Sequence, residues 1–242
     1  MTCRILLICF SAFLIGGVGL YAASWKEERA VRHARLTKFI SYFCIVNLVL
    51  LGALAGPRIL SGMMIAVGIL GARELYRVLF RASGGRFSLA FGTGAIYSFI
   101  AAGAVLFAWL SPPRTAVFVY LIVCAFDGFS QVAGQVFGRH SLAPTISPGK
   151  TIEGSASGLL FAAGMALLLR PLMGWSVPRS LLVCCFIVVT ALIGDLLASF
   201  VKRRSNVKDF GNLLPGHGGI LDRFDSFLFA ATAYLVVAEL GL

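Results

Sequence analysis

A chain of 242 residues that is 59% hydrophobic and 13% charged, with mean hydropathy +0.91, is excluded from the ordinary soluble class, in which about a quarter of residues are charged. Its net charge of +11 would suit nucleic acid, but no aromatic-basic platform or DNA-binding helix is evident, so the charge is assigned to membrane topology and anionic lipid. Cys3, Cys9, Cys44, Cys124, Cys184 and Cys185 all lie in apolar runs, with no CxxC pair and no ligand-like spacing to His33, His140 or His217, which argues against a disulfide framework or a zinc site.

The expected fold class is all-α, a polytopic integral membrane protein of about eight transmembrane helices. Residues 5–23 form the first apolar run. Arg4 before it and Ala22, Ala23 and Ser24 at its end mimic a secretory signal peptide. The apolar core is long for one, however, Tyr21 fits a cleavage slot poorly and the basic segment beyond would resist export, so a retained helix is expected. Residues 25–38 read as a basic connecting loop in preference to a helix lying on anionic lipid. Further runs follow at 39–56, 59–80, 89–110, 115–137, 152–169, 180–200 and 224–242. The run 59–80 is the weakest. Its clean apolar part ends at Gly71, before Arg73, Glu74 and Arg77, which predicts a partial or kinked helix; residues 72–77, ARELYR, mildly resemble a known family, and a charged helix end facing lipid headgroups explains them equally well.

Positive charge orients this layout. Alternate loops gather Lys26, Arg29, Arg32, Arg35 and Lys38; Arg77, Arg81 and Arg86; Arg139 and Lys150; and Lys202, Arg203, Arg204, Lys208 and Arg223. The opposite side holds only Arg4, Arg58, Arg114, Arg170 and Arg179, so the first set is expected in the cytoplasm and both termini outside.

The chemistry concentrates in residues 195–225, DLLASFVKRRSNVKDFGNLLPGHGGILDRFD. Asp195, Ser199 and Lys202, four and seven apart, share one helical face. Pro215 and Gly216 break regular structure, and Gly218 and Gly219 beside His217 would let a bulky ligand approach the backbone. Asp222 and Asp225 lie one turn apart if a helix starts there. Carboxylates among lysines, arginines and glycines suit a divalent metal carrying phosphates.

A second cluster precedes it. Asp127 is the sole acid in the run 115–137, and an ionisable group inside a membrane is a functional candidate, with an ion pair to a neighbouring arginine as the alternative. Ser147 and Pro148 read as the N-cap and first-turn proline of the helix running through Ile152. Its free amides and Lys150 would attract phosphate, although on these residues alone an ordinary capped helix is favoured.

The main stretch resembles the phosphatidate cytidylyltransferase family, the CDP-diacylglycerol synthases. The family pattern falls on Ser199, Val201, Lys202, Arg203, Lys208, Asp209, Gly211, Leu214, Pro215, His217, Gly218, Gly219, Ile220, Asp222, Arg223, Phe224 and Asp225. A second family motif matches Ser147, Pro148, Lys150, Thr151, Glu153 and Gly154, in the right order. Ser130 and Gln131 depart from the alanine and aromatic that many members carry after the intramembrane aspartate.

The resemblance implies transfer of CMP from CTP to phosphatidate at the cytoplasmic face of a bacterial membrane. It implies magnesium on Asp195 and Asp222, leaving open whether a monovalent cation joins it, and phosphate binding by Lys202, Arg203 and Lys208. It also implies substrate contacts from Asp127, Ser147, Lys150, Glu153, Ser199, His217, Gly218, Gly219, Arg223 and Asp225, and a homodimer; Asp209 joins Arg223 and Asp225 as a supporting partner. Residues 1–110 are expected as N-terminal membrane helices and 111–242 as the transferase core, with no separate soluble domain. Another CTP-dependent enzyme, acting on a different lipid phosphate or a polyprenol, a secondary transporter and a non-enzymatic membrane scaffold are the competing readings; no inverted repeat supports the transporter, and a scaffold predicts that Asp222→Asn leaves function untouched.

Overall fold

The structure, a computed structural model, describes residues 5, 10, 11, 13–18, 29–82, 87–213 and 218–239. Among them lie the helices α1 (Arg29–Ala55), α2 (Pro57–Ala82), α3 (Phe87–Leu110), α4 (Pro113–Phe137), α5 (Ile152–Met173), α6 (Val177–Arg204) and α7 (Leu221–Glu239). A short antiparallel hairpin, β1 (Ser141–Ala143) with β2 (Ser147–Thr151), separates α4 from α5. Six of these helices are long and apolar enough to cross a membrane, α1 to α6, so the polytopic all-α expectation stands. The expected first span lies largely outside the described residues. Helix α7 falls short of an uninterrupted apolar span because Asp222, Arg223 and Asp225 occupy its first turns.

Three local expectations are corrected. Residues 29–38 are helix rather than loop: Arg, Ala, Leu and Lys are good helix formers and nothing there breaks the helix, so α1 carries its basic residues at its N-terminal end. The run 59–80 is one continuous helix, and Glu74 within it is buried, not turned to headgroups. Ser147 is not an N-cap. It pairs with Ala143 in the hairpin, as Thr151 pairs with Ser141, and Pro148, lacking an N–H, is accommodated in this small two-stranded ribbon. The cap of α5 is Thr151, in extended geometry (φ −116°, ψ 152°), whose hydroxyl accepts the Gly154 N–H at 3.1 Å.

The chain divides into two compact units, each made of two separate stretches. Met1–Leu50 with Val117–Val188 form one. Here α4 and α5 cross on glycines: a Cβ on Gly154 would lie 2.7 Å from the Ser130 carbonyl oxygen, and one on Gly158 would lie 2.7 Å from the Phe126 carbonyl oxygen and against the Ser130 hydroxyl. Gly154 and Gly158 are four apart, as are Gly134 and Gly138, the small-residue spacing by which membrane helices bring their backbones together. Ser130 is thus a packing residue at this crossing. Phe129 and Phe161 stack at 3.8 Å, and the Tyr42 hydroxyl donates to the Cys124 carbonyl at 3.0 Å.

Leu51–Ala116 with Val189–Leu242 form the other unit. Phe107 of α3, fully buried, meets Phe227 and Tyr234 of α7 edge-on at 6.3 and 5.9 Å. Gly103 leaves room for Thr232, whose hydroxyl donates to the Ile100 carbonyl at 2.7 Å, and the Tyr97 hydroxyl donates to the Gly68 carbonyl at 2.9 Å. Polar side chains thus satisfy main-chain carbonyls between helices, as water cannot within a bilayer.

Candidate active site

The second unit gathers the core of the main motif. Near the end of α6 the Ser199 hydroxyl donates to Asp195 Oδ1 at 3.4 Å, and Lys202 follows on the same face. The helix then closes in a Schellman turn. Asn206 takes φ 54°, its N–H reaches the Arg203 carbonyl at 3.1 Å, and the Val207 N–H reaches the Lys202 carbonyl at 3.0 Å. This left-handed turn reverses the chain so that residues 207–213 begin the return toward the start of α7.

The return path is organised by Asp222. Its Oδ1 takes the Lys202 ammonium at 2.8 Å, and its Oδ2 accepts the Phe210 N–H at 2.8 Å and the Gly219 N–H at 2.9 Å. Lys202 and Asp222 are both buried, and the Phe210 ring lies 5.2 Å from the ammonium as a cation–π partner. One carboxylate in the first turn of α7, where the helix dipole favours negative charge, therefore ties the end of α6 to the loop on both sides. Gly218 has φ +82°, and a Cβ there would come within 3.0 Å of Asp222 and 3.2 Å of Asp209, so glycine is required twice over.

Glu74 completes the arrangement, whereas the sequence reading sets it at a charged helix end facing lipid headgroups and outside the site. From α2 its Oε1 accepts the Ile220 N–H at 3.0 Å and its Oε2 the Leu221 N–H at 2.9 Å. The space beside Gly219, expected to admit a ligand, is filled by this carboxylate. The available signal was a lone acid set in a largely apolar run, the same signal that singled out Asp127.

The other expected residues are distributed as follows. Arg203, Lys208 and Asp209 are exposed on the loop side, and Arg223 and Asp225 are half-buried in the first turns of α7. The Asp225 carboxylate accepts the Ser226 N–H at 2.8 Å. His217, with Leu214 and Pro215, lies outside the described residues. Asp127, Ser147, Lys150 and Glu153 belong to the first unit. There Glu153 is a backbone clamp: Oε2 accepts the Arg139 and His140 N–H groups at 3.1 and 3.2 Å, and Oε1 lies 2.6 Å from His140 Nδ1. With the Ile152 N–H on the His140 carbonyl at 2.9 Å, this clasps the entry of the hairpin to the start of α5.

Among the described residues no group of three or more His, Cys, Asp or Glu side chains forms a ready metal cage. Magnesium does not need one, because it keeps several waters and is held by one or two carboxylates plus substrate phosphates. Asp195 and Asp222 offer that hard-oxygen chemistry. With three partners on its two oxygens, Asp222 keeps acceptor capacity on Oδ1, so the donor set fits a magnesium ion.

Residues 112–240 match the cytidylyltransferase family. The chain belongs to this family. It is similar to the phosphatidate cytidylyltransferase of Bacillus subtilis (strain 168), 43% identical over 111 residues that cover 45% of this chain and 41% of that protein. Its likeness to the enzyme of that name from Staphylococcus saprophyticus is 41% over 115 residues, 47% of this chain and 44% of the relative. With that from Rickettsia bellii it is 38% identical over 131 residues, 51% of this chain and 57% of the relative. The match spans about half the length of these curated relatives. The cytidylyltransferase segment takes in α4 to α7 and both polar clusters, while Glu74 lies before it.

Proposed function

We propose that the protein is a phosphatidate cytidylyltransferase, converting CTP and phosphatidate to CDP-diacylglycerol and diphosphate in the bacterial cytoplasmic membrane. The observation that carries the proposal is the buried Lys202–Asp222 pair, whose lysine follows Asp195 and Ser199 along α6 and is flanked by Arg203 in the last turn of that helix and Lys208 on the loop beyond it, in a chain of this family.

The lipid phosphate is the nucleophile. With a second ionisation near pH ~6 it is largely dianionic at neutral pH and needs no strong general base. One of its oxygens forms a bond to the α phosphorus of CTP as the bond from that phosphorus to the β-bridging oxygen breaks, and diphosphate leaves. The chain's task is to hold two polyanions in line and neutralise charge that spreads over the phosphoryl oxygens. Lys202, Arg203 and Lys208 take the triphosphate and the leaving diphosphate. Lys202 is held in place by Asp222, which pairs with its buried ammonium at 2.8 Å. Magnesium, held by Asp195 and Asp222, would supply electrostatic neutralisation of the triphosphate. Asp127, Ser147, Lys150 and Glu153 are assigned to substrate binding, with His217, Gly218, Arg223 and Asp225 framing the nucleotide. The same proposal includes a cytoplasm-facing site and a homodimer.

The test is diphosphate release by purified, detergent-solubilised protein given CTP, magnesium and phosphatidate, with an Asp222→Asn variant alongside. Release that requires both substrates and is lost in the variant supports lipid cytidylyl transfer. Release of CDP instead identifies a kinase, and no release from folded wild-type protein removes phosphatidate as the substrate.

A further inference from the structure

Glu74 has no part in the chemistry assigned above, yet it is only 6% exposed and its carboxylate holds the amides of the two residues immediately before Asp222. Asp222 itself takes the amide before those, from Gly219. Three consecutive N–H groups, 219 to 221, are thus claimed by two carboxylates, one from α2 and one from α7. Ile220 stands where a helix usually places Ser, Thr, Asp or Asn, and it has no side-chain oxygen with which to cap α7. Glu74, from another helix, instead takes two of the unpaired donors at this helix start, the amides of the cap residue Ile220 and of the first helical residue Leu221. Two glycines make the room: a Cβ on Gly211 would lie 2.6 Å from Glu74 Oε1, and one on Gly219 would run into the same carboxylate.

We propose that Glu74 is a positioning residue for Asp222. By fixing the Ile220 and Leu221 amides to α2 it sets the first turn of α7, so that Asp222 faces Lys202, and it thereby governs turnover more than substrate affinity. The turnover half rests on the cytidylyltransferase reading; the positioning half rests on geometry alone. Both oxygens are used by different donors, so Glu74→Gln sets an NH2 group against one of those N–H groups, and Glu74→Asp keeps the charge but falls one methylene short.

The experiment uses the full chain in detergent, as wild type, Glu74→Gln, Glu74→Ala, Gly219→Ala and the Glu74→Ala/Gly219→Ala double variant. Hydrogen exchange is followed over residues 218–222, and steady-state kinetics with CTP and phosphatidate are normalised to folded protein. In Glu74→Gln, exchange at 219–221 is expected to quicken by about tenfold or more. Turnover per folded molecule is expected to fall by about ten- to a hundredfold, with both KM values within about threefold of wild type. Gly219→Ala alone is expected to be impaired but to add little to Glu74→Ala, because its Cβ then enters the room that the carboxylate left.

Unchanged exchange at 219–221 in Glu74→Gln overturns the inference whether or not the protein uses CTP. Faster exchange with unchanged turnover per folded molecule also overturns it, leaving Glu74 a residue of stability alone. An equal Gly219→Ala penalty in both backgrounds overturns it too, because the space would then serve a ligand. If wild type releases no diphosphate while exchange quickens in Glu74→Gln, the positioning half is supported and the cytidylyltransferase reading is what fails.

Discussion

Replacing Lys202 by methionine keeps the unbranched stem of the side chain but removes the ammonium, leaving the Asp222 carboxylate, 2% exposed, without its cation. Removing one partner of a buried ion pair costs about 3–5 kcal/mol, most of it the penalty of stranding the other charge. Asp222 retains its two amide donors, Phe210 and Gly219, which places the expected cost at the low end, about 3 kcal/mol. For chains of this size about 1 kcal/mol moves the unfolding midpoint by about 2–4 °C, so the midpoint should drop by about 6–12 °C. Thermal unfolding in a fixed detergent, followed by helical circular dichroism, measures this. Adding Asp222→Asn supplies the control. The asparagine carbonyl can accept both amides while its uncharged NH2 faces the introduced methionine, so the double variant should regain part of the loss, the remainder being the cost of an NH2 group with only a weak acceptor. A drop below about 2 °C for Lys202→Met would mean that the carboxylate is well solvated without its partner. A double variant less stable than Lys202→Met would refute the stranded-charge argument.

Two further outcomes are expected. Gly158→Leu should destabilise the first unit by about 1–3 kcal/mol through overpacking against Phe126 and Ser130, seen as a lower midpoint; an unchanged midpoint would mean that α4 and α5 do not meet there. Chelation with EDTA should abolish diphosphate release and added magnesium should restore it, whereas activity that survives chelation would remove the metal role of Asp195 and Asp222.

Much of this protein was legible in local pattern. Apolar runs announced α2 to α6 because a membrane helix must be apolar over most of its length, whatever its neighbours. The four- and seven-residue spacing of Asp195, Ser199 and Lys202 placed them on one face, and the Ser199–Asp195 bond follows from that spacing alone. The candidate site residues stood out because charge is rare in such a chain.

What local pattern could not decide was which groups answer one another. Ser147-Pro148 has the local chemistry of a helix start, yet pairing with Ala143 draws it into a strand and passes the cap to Thr151. Gly219 reads as an opening for a ligand until Glu74, from another helix, occupies it. Glu74 and Ile220 stand 146 positions apart, and no periodicity links them. Sequence by itself determined the membrane class, the helical faces and the inventory of polar groups, because hydropathy and helical spacing act within a few turns. Only the tertiary structure decided the pairing of Lys202 with Asp222 and of Glu74 with the amides before it. A buried charge or N–H is satisfied by whichever group the packing of distant helices brings within about 3 Å.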